Sequence, residues 1–230
     1  LLRDQDYPLI AIVLIAVALG ALLGLYNGYF VAYWKAAPFV VTLSMMTIAR
    51  GMTYVYSDGR PISNLPEEFL AIGKGSIIGI PIPTVILIVV FIIANVMLTK
   101  LKFGRYVYAV GGNENAAMVS GINVKKIKMF VYVLSGVACG LAAIILTSRV
   151  SAGLPQAGES YELDAIAATV IGGTSLSGGR GRLWGTIVGA ILLGIVNNGL
   201  DLLNVSSFYQ QIVKGLIILG AILIDSKRNN

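Results

Sequence analysis

The chain has 230 residues, of which 57% are hydrophobic and only 12% charged, and its mean hydropathy is +0.83. Soluble domains carry roughly a quarter charged residues, so this composition excludes a water-soluble globular protein and indicates an integral membrane protein. The net charge of +6 sits in loops between apolar segments, which orients a polytopic chain and is no nucleic-acid footprint; the lack of histidine removes the commonest general base and metal ligand, and the single Cys139 excludes a disulfide framework.

The chain opens LLRDQDYP, without an initiator Met or a basic region before a cleavage site. It carries no signal peptide by this reading and continues something longer. Apolar segments follow at about 8–31, 39–56, 83–99, 129–148, 161–176, 183–203 and 206–225, judged against the roughly 20 residues that span hydrocarbon. The expected fold is therefore all-α: a polytopic transmembrane helical bundle with about seven membrane segments. Between the second and third segments, the prolines, glycines and paired glutamates of 57–83 predict a loop with a short surface helix at 65–72. The fifth segment is short and runs into GGTSLSGGRGR (172–182), which predicts a half-span or re-entrant helix.

Orientation follows from the basic residues. With 100–128 in the cytoplasm, Lys35, Lys100, Lys102, Arg105, Lys125, Lys126, Lys128, Arg180, Arg182, Lys227 and Arg228 lie inside. Only Arg3, Arg60, Lys74 and Arg149 then lie outside. The chain is thus expected to begin outside and end with a cytoplasmic C-terminus. Gly136 and Gly140, and likewise Gly185 and Gly189, recur four apart and predict close helix packing in lipid.

The polar insert GGNENAAMVSGINVKKIK (111–128) falls between the third and fourth segments. Asn113 is a fair N-cap, Glu114 suits the positive helix start, and Gly121 supplies a left-handed stop. About two turns of cytoplasmic helix are predicted, smooth on the side of Ala116 and Ala117 and suited to docking on a soluble partner. An ordinary cytoplasmic loop is the plainer alternative.

The stretch Asn115-Ala116-Ala117-x-x-x-Gly121 is similar to the EAA-type coupling motif of ABC importer permeases, with Asn in place of the leading acid. GRYVYAVGGNENAAMVSGINVKKIK (104–128), YELDAIAATVIGGTSLSGGRGRLWGT (161–186) and NNGLDLLNVSSFYQQIVKGLIILGAILID (197–225) resemble, in order, the permease of ribose-type monosaccharide importers. The resemblance implies a permease subunit that forms the sugar pathway across the bacterial cytoplasmic (inner) membrane. Its implied partners are ABC ATPase subunits that bind ATP and Mg, a periplasmic or surface sugar-binding protein, and a second permease copy in a homodimer. It also implies that Glu114, Asn115, Ala116, Ala117, Gly121 and Ile122 form the coupling helix gripped by the ATPase. Lys125, Lys126 and Lys128 are expected to pair with ATPase acids or anionic lipid, or to act as an orientation signal only. The family has further N-terminal spans with a glycine-rich stretch, so 1–230 is expected to be a single permease domain lacking those spans.

Polar residues inside spans are expensive and are pathway candidates by default. They are Arg50, Asp164, Asn197, Asn198, Asp201 and Lys214. Lys214, about two turns from the outer end of the last segment, either snorkels outward or pairs with Asp201. Glu162 and Asp164 open the fifth segment, where acids complement the helix dipole and capping is the expected role. GGTSLSGGRGR lacks the phosphate-loop pattern and GGNENAAMVSG has no preceding strand, so no ATP hydrolysis, cofactor, metal or catalytic residue is expected in this chain. The alternative from a different class is a self-contained ion-coupled secondary transporter, which needs no ATPase dock.

Overall fold

Helix occupies every one of the seven apolar segments in the computed structural model, which describes residues 8–229 and, for side chains, leaves out 207, 221, 222 and 224–229. Arg3 and the side chains of Lys227 and Arg228, used in the charge reading, lie outside the described residues. The long helices are α1 (Leu9–Tyr33), α2 (Pro38–Ser57), α4 (Ile82–Thr99), α7 (Val124–Val150), α9 (Leu183–Leu202) and α10 (Ser207–Asn229). Shorter ones are α3 (Glu67–Lys74), α5 (Lys102–Gly112), α6 (Glu114–Val119) and α8 (Tyr161–Ile171). A two-residue hairpin, β1 (Ser76–Ile77) and β2 (Ile80–Pro81), precedes α4. Among the described residues, α1, α4, α7 and α9 are long and apolar enough to cross a membrane. The 11 residues of α8 rise only about 16 Å and fall well short of the hydrocarbon thickness.

The chain divides into two units, Leu1–Ile93 with Gly121–Ala157, and Ala94–Ser120 with Gly158–Asn230. In the first, α1 lies antiparallel on α7 with backbones almost touching. A Cβ on Gly20 would run into the Gly136 carbonyl, and one on Gly24 into that of Tyr132. A Cβ on Gly140 would come within 2.9 Å of the Ala16 carbonyl oxygen. The paired glycines expected on α7 are thus half of a face whose other half, Gly20, Gly24 and Gly28 at the same spacing, belongs to α1. Small residues allow this approach, which substitutes dispersion and backbone contact for the hydrophobic effect that lipid does not supply.

Helix α3 differs from the surface helix expected at 65–72. Phe69 is 2% exposed and packs with Leu65 and Ile144. Ser148 on α7, fully buried, donates toward the carbonyls of Phe69 (2.6 Å) and Leu70 (3.1 Å) and accepts from the Gly73 N–H (2.7 Å). One hydroxyl therefore pins α3 onto α7. Ser148→Ala removes that link and is expected to destabilise the unit by about 1–3 kcal/mol, because the released backbone groups stay buried. Faster amide exchange at 69–73 than in the parent, read by mass spectrometry, checks this.

In the second unit α8 and α9 repeat the glycine device. A Cβ on Gly189 would strike the Ala168 carbonyl, and one on Gly185 that of Gly172. Ala167, Ala168 and Leu193 form the core there, with Ile171 and, from α10, Ile217 and Ile218 against it.

Candidate coupling and polar sites

The polar insert folds as its residues dictate locally. The Asn113 side chain accepts from the Ala116 N–H at 2.9 Å, Glu114 occupies the first turn, and Gly121 stops the helix at φ +81. A Cβ at Gly121 would meet nothing within 4 Å, so only the left-handed backbone demands glycine there.

Exposure within α6 is uneven. Ala117 is 4% exposed, buried within its own chain, whereas Met118 and Val119 are 57% and 90% exposed. Ala117 was expected on a smooth docking side with Ala116; it faces inward and seats the helix, and the open surface belongs to Asn115, Ala116, Met118 and Val119. The sequence marked Ala117 because small residues suit docking, but small residues equally suit burial.

Helix α5 carries this segment onto the glycine loop. Gly178 and Gly179 pass so close to Gly111 and Gly112 that a Cβ on Gly111 would lie 2.7 Å from the Gly179 nitrogen. Tyr108 donates its hydroxyl to the Gly181 carbonyl at 2.9 Å. The 172–182 loop joins α8 to α9, so within this unit α5 bears directly on the junction of two helices, and α6 follows α5 in the chain and packs on it. Tyr108 escaped the sequence reading, since its partner lies 73 residues away. Lys125, at the start of α7 in the other unit, stands over the Tyr33 ring at 5.3 Å, a cation–π contact within the chain itself.

Of the polar span candidates, Lys214 and Asp164 come together. The ammonium lies 2.9 Å from the Asp164 carboxylate, with side chains 25% and 29% exposed. The expected partner of Lys214, Asp201, instead accepts from the Gln210 side-chain amide at 2.7 Å. Asp201 and Gln210 face each other across the α9–α10 turn, while the packing of α10 on α8 delivers Lys214 to Asp164. Asp164 lies in the first turn of α8, as the dipole argument expects, but accepts from Lys214 rather than capping the helix; Ser160 holds the N-cap position without a side-chain cap bond. Arg50 is half-buried in α2, and Asn198 is exposed on α9. The Asn197 Oδ1 is buried with no hydrogen-bond partner among the described residues. So is the Oδ1 of Asn27 on α1, a polar residue between Gly24 and Gly28 that the sequence reading passed over.

A family model described as the permease component of the branched-chain amino acid transport system matches residues 1–222. The chain belongs to this permease family. The ribose import permease protein of Bacillus subtilis (strain 168) is 53% identical over 205 residues, 88% of this chain and 64% of that one. The ribose import permease protein of Haemophilus influenzae is 49% identical over 225 residues, 96% and 70% of the two chains. The D-allose transport system permease protein of Escherichia coli K12 is 39% identical over 218 residues, 95% of this chain and 67% of its own. The resemblance read from 104–128, 161–186 and 197–225 is therefore borne out. The chain spans about two thirds of the length of these curated relatives. No solved structure gives a significant match.

Proposed function

We propose that this permease is the membrane subunit of an ATP-driven ABC importer that carries a ribose-type monosaccharide across the bacterial inner membrane. The observation that carries the reading is the α6–α5 segment: a capped, exposed helix bearing through Gly111 and Tyr108 on the loop between α8 and α9. Relatives named as ribose import permeases support the sugar class. In this reading the chain forms one permease domain of seven membrane segments, α8 being the half-span. It pairs with a second copy, has its C-terminus in the cytoplasm, and works with ATPase subunits that bind ATP and Mg and with a sugar-binding protein. It is itself non-catalytic.

Asn115, Ala116, Met118 and Val119 form the face that the ATPase grips, with Glu114 and Ile122 at its margins. Ala117 and Gly121 act by shape, seating and ending the helix. A lever of this kind transmits force only as far as its own chain holds it, since a partner shifts a two-state bundle by no more than its differential contact energy. Arg50, Asp164, Asn197, Asn198, Asp201 and Lys214 are the polar groups nearest a neutral sugar's needs along the pathway.

Met118→Glu with Val119→Glu is expected to abolish recovery of an ATPase when the full chain is purified gently from its native membrane. Sugar uptake should fall at least about tenfold, the equivalent of 1.4 kcal/mol or more in contact energy, with membrane insertion unchanged. Undiminished ATPase recovery and uptake in this variant would sink the coupling assignment. Uptake that persists after ATP depletion would instead favour ion coupling.

A further inference from the structure

The loop that receives α5 also walls a cleft of about 590 Å³, within the size range of small-ligand sites. Two arginines, Arg180 and Arg182, line it with Tyr108 and five glycines. Its electrostatics are one-sided. No carboxylate lines it, and among the described residues neither arginine has an ion-pair partner.

The same cleft meets the start of α9, whose first turn contains no acid and whose N-cap residue, Arg182 itself, offers no side-chain cap. The positive pole of a 20-residue helix and two arginines, both exposed, therefore border one cleft, and no acid in its lining or in the first turn of α9 offsets them. Arg182 is extended (φ −142, ψ 133) and one glycine separates it from Arg180. Gly173 and Gly179 have φ +83 and +72, so part of the wall is bare backbone that a side chain would strain.

From these features we propose that the cleft binds a phosphate group, held by the paired guanidiniums of Arg180 and Arg182 at the N-terminus of α9. Planar guanidinium forks match phosphate oxygens two at a time, which a scattered surface charge does not. The phosphate has two chemical sources, a free phosphate compound or the headgroup of an anionic lipid. The second is favoured by position, because α9 is long and apolar enough to cross a membrane and the cleft lies where it begins. A bound phosphate bridges the 172–182 loop to α9 beside the contact with Gly111, and so stiffens the joint on which α5 bears.

The test is thermal unfolding of the purified full chain in neutral detergent. One arm adds millimolar inorganic phosphate against chloride of equal ionic strength. The other adds phosphatidylglycerol against phosphatidylcholine. A specific ligand stabilises the folded state by mass action, and a rise in Tm of about 4 °C is expected. The rise should vanish in R180Q/R182Q and survive in K100Q/K102Q, which removes two cations outside the cleft. A response to phosphatidylglycerol alone identifies the headgroup, one to phosphate alone the free compound, and one to both a site that takes either. No rise with either anion, or a rise that persists in R180Q/R182Q, overturns the proposal. Should the double variant not fold, R180Q and R182Q singly carry the same reading, each expected to halve the response.

Discussion

Gly24→Leu is expected to force α1 off α7 and to be among the most damaging single changes in the first unit. A single Cβ at Gly24 already runs into the Tyr132 carbonyl and lies 3.0 Å from the Val133 Cα. Backbone cannot rotate aside as a side chain does, so the helices must separate and lose contact along the whole face. Overpacking of a tight core typically costs 1–3 kcal/mol and occasionally more; with backbone as the obstacle, about 3 kcal/mol is expected. The sharpest comparison is Gly51→Ala on α2, where a Cβ meets nothing within 4 Å. That change should leave stability level or raise it by about 0.5–1 kcal/mol through helix propensity. Unfolding midpoints of the two variants in detergent decide the matter. Equal midpoints would mean that the α1–α7 glycine face carries no energy.

The second large effect is expected at the Lys214–Asp164 pair. Removing one partner leaves the other charge part-buried without its counter-ion, at a cost of about 1–3 kcal/mol. Asp164→Ala and Lys214→Ala should each therefore lower the yield of folded chain sharply. The double change to alanine should be less harmful than either single one, because no uncompensated charge remains. Exchange of the two residues, D164K with K214D, should recover part of the loss, with the shortfall arising from the dipole of α8, which prefers an acid in its first turn. Additive losses in the double-mutant cycle would show that the contact carries no coupling energy. Asp201→Ala is the internal control: its partner is Gln210 at an exposed turn, and it should cost no more than about 1 kcal/mol.

These expectations bear on the transport reading in different ways. The α1–α7 face stabilises the first unit and the Asp164–Lys214 pair the second, whereas α6 is the surface through which work is proposed to enter. A variant at Met118 or Val119 should leave unfolding unchanged and abolish uptake, the reverse of the pattern at Gly24. That opposition separates a coupling residue from a packing residue more firmly than loss of uptake alone.

The cleft at Arg180 and Arg182 illustrates a limit of motif reading. Compared with a phosphate-loop pattern, GGTSLSGGRGR fails, since it has no lysine and serine or threonine at the required spacing. Its positive charge becomes meaningful only when α9 is placed beside it without an acid in its first turn.

What the residues determined by themselves is local. The seven helical segments follow from apolar run length, which needs no knowledge of neighbours. The cap at Asn113 and the left-handed stop at Gly121 follow from chemistry within a few residues of each end of α6. Family membership is legible for a similar reason, since ordered motifs survive in one dimension. The tertiary structure decided every question in which two distant groups compete for one partner. Asp201 lies 13 positions from Lys214 and Asp164 lies 50, yet α10 packs on α8 and the more distant carboxylate is the one reached. Whether Ala117 docks or is buried, and whether Ser148 faces lipid or pins α3, likewise depends on which face each helix turns to its neighbours. A helix carries its period in its sequence, but the side it presents is set by the close approach of backbones at Gly20, Gly24, Gly136 and Gly189, and only packing chooses that.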